Sequence, residues 1–301
     1  MNWRSERRRQ AGAGGDCAAA AVMPPRLART GQAWLPGFLL AVPASIALAI
    51  PDLAVVPASI PLAISATMAV PASIAYATAP VAVDIGHSKP HPGATSARGK
   101  PEFEFNRELG RVIAQTLQAQ QMPAVLIGEE GGMVNLPDRT ALASRLHAGF
   151  LLSVHHDSAQ PQYLQNWLWQ GAPQHFSDRF SGYSLFVSRK NPQLETSLHC
   201  ARLIGQALQQ AGLHASEHHA EPIAGENREW ADRPAGVYYF DDLLVLKTAA
   251  MPALLLEAGV IINREEEQWL LQSSTRKTIA TAVAQGLAQC GALPAAVSAP
   301  R

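Results

Sequence analysis

From residue 81 onward the apolar positions follow two alternating rhythms. Short runs that are apolar almost throughout read as buried strands: VAVDI (81–85), AVLI (124–127), FLLSV (150–154), YSLFV (183–187) and ALLLE (253–257). Between them lie stretches of helical period. NRELGRVIAQTLQAQQ puts Leu109, Val112, Ile113 and Leu117 on one face, and a short helix follows Pro137 and runs through Leu146. Leu194 to Gln210 places Leu198, Ala201 and Leu208 inward, and residues 265–289 read as one terminal helix carrying Trp269, Ile279, Val283 and Leu287. Residues 214–242 are polar and read as loop. Apolar strands separated by helices predict an α/β fold with a single twisted, mostly parallel β-sheet covered by helices on both faces. Such sheets bind ligands beyond the carboxyl ends of their strands.

The first eighty residues have a different pattern. Residues 1–29 are rich in Arg, Gly and Ala, and from Thr30 to Val83 the only formal charge is Asp52. Basic and then apolar is the order of an export signal, and Ala75-Tyr76-Ala77 is the small-x-small pattern that a signal peptidase cuts. The rival reading is an uncleaved membrane anchor, which Pro43, Pro51, Pro57, Pro61 and Pro71 disfavour because a spanning helix excludes frequent proline. The run exceeds the about 15 to 30 residues of an ordinary signal. VPASI recurs at 42–46, 56–60 and 70–74, a period of 14, so two in-frame duplications in a signal starting at Met23 account for the excess. The expected organisation is a leader over 1–77, a folded domain over 78–291 and a tail over 292–301.

Charge and cysteine content narrow the chemistry. The 301 residues carry 24 Lys+Arg and 24 Asp+Glu, so no net field is available to hold nucleic acid or an anionic membrane surface. Membrane contact is expected only through an uncleaved leader. Cys17, Cys200 and Cys290 include no C-x-x-C spacing, which excludes a thiolate zinc cluster and a disulfide scaffold. Cys200 and Cys290 fall on separate helices and read as free, buried thiols unless their Cα atoms approach within about 7 Å. Any metal must be held by His and carboxylate, and all ten histidines lie after residue 80.

Three strand ends carry suitable groups: VAVDI runs out at Gly86-His87, FLLSV at His155, and ALLLE ends on Glu257. Glu102 and Glu104 stand just before the first helix. Two imidazoles and a carboxylate at one sheet edge suit a hydrolytic zinc site, which keeps one position open for water. Taken singly, a strand-end histidine is more often a hydrogen-bonded structural residue, and a glutamate before a helix is commonly a dipole partner. In SVHHDS only one of His155 and His156 faces the site, because neighbouring strand residues point to opposite faces.

In order and flanks together these segments resemble the zinc-dependent N-acetylmuramoyl-L-alanine amidases of the amidase 3 family. VAVDIGHSKPHPGA is similar to the family's opening strand with its zinc-binding histidine, here His87. GKPEFEFNREL resembles the helix start whose ligand lies four residues before an asparagine, which selects Glu102 over Glu104. LPDRTALASRLHAGFLLSVHHDS resembles the stretch that begins with an Arg and ends in serine, aliphatic, histidine, and it maps the third ligand to His155. MPALLLEAGVIINREEE is similar to the segment with the catalytic glutamate, here Glu257. The resemblance implies Zn2+ held by His87, Glu102 and His155, and Glu257 taking the proton of the attacking water. It implies peptidoglycan as substrate, with cleavage between N-acetylmuramic acid and L-alanine, in the periplasm or cell envelope.

The sequence departs from the family in its first motif, with Ile85 for Pro and Ser88-Lys89 for two glycines, and in His91 and Ser144, which stand where Asp and Asn are usual. These departures bear on loop shape and substrate fit and remove no ligand. Two other readings stay open: a zinc carboxypeptidase-type or deformylase-like hydrolase, and a non-catalytic wall-binding regulator of the same fold. No wall-binding module is visible in the sequence, which names no activating protein either. Trp167, Trp169, Phe176 and Phe180 read as a small satellite core rather than a sugar platform. His218, His219, Glu221, Glu226 and Glu229 read as a solvated loop rather than an extra metal ligand set. His91 reads as an exposed loop residue, and Asp84 as a strand-end group that orients a ligand or pairs with backbone.

Overall fold

A computed structural model describes residues 79–291; the expected leader over 1–77 and tail over 292–301 lie outside the described residues. The elements run β1 (Val81–Ile85), α1 (Glu102–Ala119), β2 (Ala124–Ile127), α2 (Leu136–Arg145), β3 (Phe150–Asp157), β4 (Gln165–Trp169) and β5 (Ala172–Phe176). They continue with β6 (Ser184–Val187), α3 (Leu194–Gln210), β7 (Trp230–Asp232), β8 (Val237–Tyr239), α4 (Leu244–Thr248), β9 (Ala253–Val260), α5 (Arg264–Leu270) and α6 (Ser273–Cys290). Seven strands form one sheet in the order β2-β1-β3-β9-β6-β8-β7, and β4 pairs only with β5. The contacts β1–β2, β1–β3, β3–β9 and β6–β8 are parallel, while β6–β9 and β7–β8 are antiparallel. The fold is therefore the mostly parallel α/β sheet that the apolar rhythm predicts.

Strand alternation sorts the core into two layers. Val81, Val83, Phe150, Leu152, Val154, Leu254 and Leu256 pack on one face with α1, α3 and α6. Ala82, Leu151, Phe186, Ala253 and Leu255 pack on the other with α2 and α4. Both faces are dry, which is why these strands read as continuous apolar runs rather than as alternation. Leu109, Ile113, Leu117, Leu198, Ala201 and Leu208 are buried as the helical period requires. Among the described residues no helix is long and apolar enough to cross a membrane.

Four expectations change. FLLSV does not stop at Val154: β3 continues through His155, His156 and Asp157, so the histidines lie inside a strand. The segment 214–242 is not all loop, because β7 and β8 extend the sheet edge and bury Tyr238. The terminal helix is two helices, broken between Leu270 and Ser273, and Trp269 is 38% exposed rather than inward. The Asn263 side chain accepts from the Glu265 and Glu266 N–H groups and starts α5. Finally, Cys200 on α3 and Cys290 on α6 are not free thiols: they form a disulfide, with Cα atoms 5.0 Å apart. The helices pack directly against each other, close enough for the bond.

The aromatic insertion is the β4–β5 hairpin. Trp167 and Trp169 stack at 5.5 Å, Trp167 meets Phe176 edge-on, and the Arg98 and Arg264 guanidinium groups lie against the rings. The Trp167 indole N–H donates to the Ala97 carbonyl at 2.9 Å, tying the hairpin to the loop before α1. Phe180 instead packs with Tyr163 beside Ala159, Val260 and Ile262. The four residues thus divide between two small clusters.

Candidate active site

Just beyond β1, in the second halves of β3 and β9 and at the start of α1, the structure brings His87, His155, Glu257 and Glu102 together. His87 Nε2 lies 3.0 Å from Glu102 Oε2, and His155 Nδ1 lies 3.1 Å from Glu102 Oε1. The imidazole rings meet edge to face at 4.9 Å. Each histidine addresses a different oxygen of one carboxylate, and the three donor atoms sit within 4.8 Å of one another. Donors on a tetrahedral zinc with bonds of about 2.0 to 2.1 Å lie about 3.3 Å apart, so the spacing fits such an ion. Glu104, the other glutamate before α1, is not in the group.

Glu257 stands directly across β3 from His155 in the strand register. Its Oε2 is buried without a hydrogen-bond partner. Burial pushes its carboxyl well above the usual range, and the nearby Asp157, Glu102 and Glu226 carboxylates add to the rise. Glu102 behaves oppositely: burial raises it, yet the His87 and His155 imidazoles outweigh burial and hold it well below the usual carboxylate range. Two acidic groups in one site are thus driven in opposite directions, Glu102 toward the anion and Glu257 toward the neutral acid.

The backbone makes room for these side chains. A Cβ on Gly86 would stand 2.3 Å from His155 Nε2, so that ring occupies the space a side chain at 86 needs. Gly93 has φ +81°, and a Cβ there would stand 2.3 Å from Glu102 Oε2. Both positions therefore exclude any larger residue while His155 and Glu102 keep their places.

Several groups hold the first ring in place. The buried Arg139 guanidinium donates to Asp84 Oδ1 at 2.6 Å, to the Met133 carbonyl at 2.8 Å, and to the carbonyls of Ile85 and His87. Asp84 Oδ2 accepts from Ser153 Oγ at 2.8 Å. Asp84 thus pairs with a side chain rather than with backbone, and the pair grips the turn that carries His87 at φ 68°. The Asn106 amide donates to Glu102 Oε1 at 3.1 Å and to the Gly86 carbonyl at 3.2 Å. Its own oxygen lies 2.8 Å from His156 Nδ1. Since Asn106 Oδ1 only accepts, His156 carries its proton on Nδ1.

His156 thus points to the α1 face, as strand alternation requires. It is buried beside Phe105 and works through Asn106 on Glu102. Sequence reasoning used Asn106 only as a spacing marker and Arg139 only as a motif boundary, and it missed what both contact. The loop histidines read as solvated rather than as metal ligands, and their partner Asp157 was missed. Asp157 Oδ2 lies 3.0 Å from His218 Nε2 and 2.7 Å from His219 Nε2, and both histidines are buried rather than solvated. Glu221 pairs with Arg179 and Glu229 with Arg189. His91 is exposed.

Comparison with known proteins bears on the family and the fold. The sequence profile of the N-acetylmuramoyl-L-alanine amidase family matches residues 81–289. The chain is 26% identical over 227 residues to the probable N-acetylmuramoyl-L-alanine amidase AmiB of Haemophilus influenzae, covering 69% of this chain and 51% of that protein. It therefore spans about half the length of that relative. It is 21% identical over 210 residues to a putative N-acetylmuramoyl-L-alanine amidase of Buchnera aphidicola, covering 69% and 94%. Among solved structures, the amidase of Clostridium difficile 630 superposes with a TM-score of 0.55 at 20% identity, covering 71% of this chain and 96% of that one. The catalytic domain of CwlV from Bacillus (Paenibacillus) polymyxa gives 0.53 at 22%, covering 70% and 97%. At such identities the solved structures speak for the fold. With the profile matched from the first strand to the last helix, the chain belongs to the N-acetylmuramoyl-L-alanine amidase family, amidase 3.

Proposed function

We propose that this chain hydrolyses the amide between N-acetylmuramic acid and the L-alanine of the stem peptide in peptidoglycan, with zinc held by His87, Glu102 and His155. The observation that carries the reading is the convergence of His87 Nε2 and His155 Nδ1 on separate oxygens of Glu102, with the unpartnered Glu257 Oε2 one strand away. Bound zinc supplies a Lewis acid and lowers the pKa of water toward neutrality. The remaining work falls to side chains. Glu257, its carboxyl raised by burial, accepts the proton of the attacking water and returns it to the leaving amine. Glu102 stays anionic throughout, fixed by the Asn106 amide. Arg139 holds the His87 turn, so that the ring presents Nε2 to the same point in every turnover.

An envelope location fits the same reading. The Cys200–Cys290 disulfide is at home in an oxidising compartment, and a periplasmic or extracellular substrate requires export. Digestion of purified sacculi, with and without chelator, tests the activity. Mass analysis should find free stem peptides; loss of terminal residues alone points to a carboxypeptidase, and zinc and sacculus binding without release points to a regulator. Glu257→Ala should keep one equivalent of zinc at the His87 site and lose hydrolysis, whereas His155→Ala should lose that zinc as well. Undiminished turnover in Glu257→Ala removes Glu257 from its role.

A further inference from the structure

We propose a second divalent-metal site, for a zinc-class transition ion, built from Asp157 Oδ2, His218 Nε2 and His219 Nε2. The two imidazole nitrogens converge on the shared carboxylate oxygen, at 3.0 and 2.7 Å. All three atoms are buried and turn toward one another, with no other polar group satisfying them. His218 and His219 expose only 3% and 7% of their surface, so water does not satisfy these atoms.

The outer atoms of the same groups are all engaged. His219 Nδ1 lies 2.8 Å from Glu226 Oε2, and His218 Nδ1 lies 2.8 Å from Ser216 Oγ. Asp157 Oδ1 accepts from the Ser158 N–H at 2.7 Å. Metal-binding histidines characteristically donate their far N–H to a carboxylate or other oxygen, which fixes the ring and leaves the near nitrogen's lone pair for the ion. Gln160 holds the other oxygen of Glu226. Phe180 stacks on His218 and Phe186 meets His219 edge-on, both at 4.9 Å, giving the apolar shell that strengthens coordination. A cleft of about 560 Å³, lined in part by Ser216 and His218, offers an entry path.

Two imidazoles and a carboxylate suit zinc and its neighbours better than calcium or magnesium, which prefer oxygen alone. The ion pins the polar segment 214–229 to the end of β3, two residues beyond His155. It acts as a clamp on the wall beside Glu257, separate from the His87 site.

Metal content of the full chain measures this directly, by elemental analysis and by Co2+ titration of the metal-stripped protein. Wild type should bind two equivalents. His87→Ala/His155→Ala, which dismantles only the first site, should retain one, with the visible absorption of nitrogen- and oxygen-bound Co2+. His219→Ala should lose one of the two, and Glu226→Ala should weaken that one about 10- to 100-fold. Wild type that binds a single Co2+ lost in His87→Ala/His155→Ala overturns the proposal, leaving a proton between Asp157 and the histidines. A single Co2+ that survives in that variant but vanishes in His219→Ala overturns the first site instead. Two equivalents in wild type support the proposal without any variant, and His219→Gln, which keeps a polar side chain of similar size, replaces His219→Ala where that variant fails to fold.

Discussion

Replacing Arg139 with methionine probes how much of the first site rests on one buried cation. Arg139 is 1% exposed and its partner Asp84 is 1% exposed, so removal leaves a carboxylate in the core with only Ser153 Oγ to stabilise it. Breaking a buried pair from one side costs about 3 to 5 kcal/mol. Three backbone carbonyls, of Ile85, His87 and Met133, lose their donor in the same step. Against a typical total stability of about 5 to 15 kcal/mol, the variant should unfold at much lower urea. The loss should also reach the metal. His87 sits at φ 68°, a region that costs a non-glycine residue about 1 to 3 kcal/mol, and Arg139 binds its carbonyl.

Chelator competition should therefore show zinc at the His87 site about 10- to 100-fold weaker, as for other supports of metal ligands. Arg139→Lys keeps the charge but cannot span four acceptors and should fall between. Asp84→Asn combined with Arg139→Met removes the orphaned charge, so it should regain part of the stability but little of the zinc affinity. Zinc affinity unchanged in Arg139→Met, despite lower stability, would show that the His87 turn holds its shape unaided. A stability loss under about 1 kcal/mol would refute the buried pair itself.

Three further outcomes are expected. His156→Ala should lower the melting temperature and weaken the first zinc about tenfold, because Asn106 loses the partner that aims it at Glu102, whereas His155→Ala should abolish that zinc outright; equal losses in the two variants would overturn the strand assignment. Cys200→Ser/Cys290→Ser opens a link between residues 90 apart, worth up to about 4 to 5 kcal/mol of chain entropy, and should match reduced wild type in urea while keeping its metals; no shift in midpoint removes the stabilising role. Glu266, pushed up to about 7 by burial despite the Gly182 and Val260 N–H donors, is preferred neutral in the folded state. Its contribution is therefore greatest below its unfolded pKa near 4.5 and is lost as pH rises through about 7. Glu266→Gln should lose a donor contact at every pH but escape that decline, so its deficit against wild type should shrink by about 3 kcal/mol from pH 4.5 to 8, by urea denaturation; a deficit independent of pH refutes it.

Much of this fold was legible because its strands are buried on both faces and its helices on one, which the apolar rhythm records. The missed elements fail for physical reasons. β7 and β8 are three residues each, too short for any period, and lie in a polar segment. The break between α5 and α6 has neither Gly nor Pro, so the helical period in the sequence runs through it while Trp269 turns outward. The disulfide depends on two helices far apart in sequence packing side by side. The clustering of His87, Glu102 and His155 was legible through motif order, and Asn106 and Arg139 lay within those motifs. Which residue of another motif each would bind was not legible, since Asn106 reaches forward to His156 on β3 and Arg139 back to Asp84 on β1.

β3 explains why polar residues can be buried in a segment that reads as loop. His155 and Asp157 share a face and His156 takes the other, so one strand end serves three different partners: Glu102, Asn106, and the pair His218 and His219. The register against β9 supports this, because His155 lies across from Glu257 but Asp157 lies across from Val260, one residue further than regular pairing gives. The extra residue on β9 shifts the local pairing at the point where the two histidine clusters diverge, as bulges near functional sites commonly do. Hydropathy sees His218 and His219 as solvent-seeking, but the half-buried carboxylate of Asp157 at the end of β3 gives them somewhere to go. Burial of such residues is decided by whether the fold supplies a partner, and here the partner stands two positions along the strand from a residue of the first site.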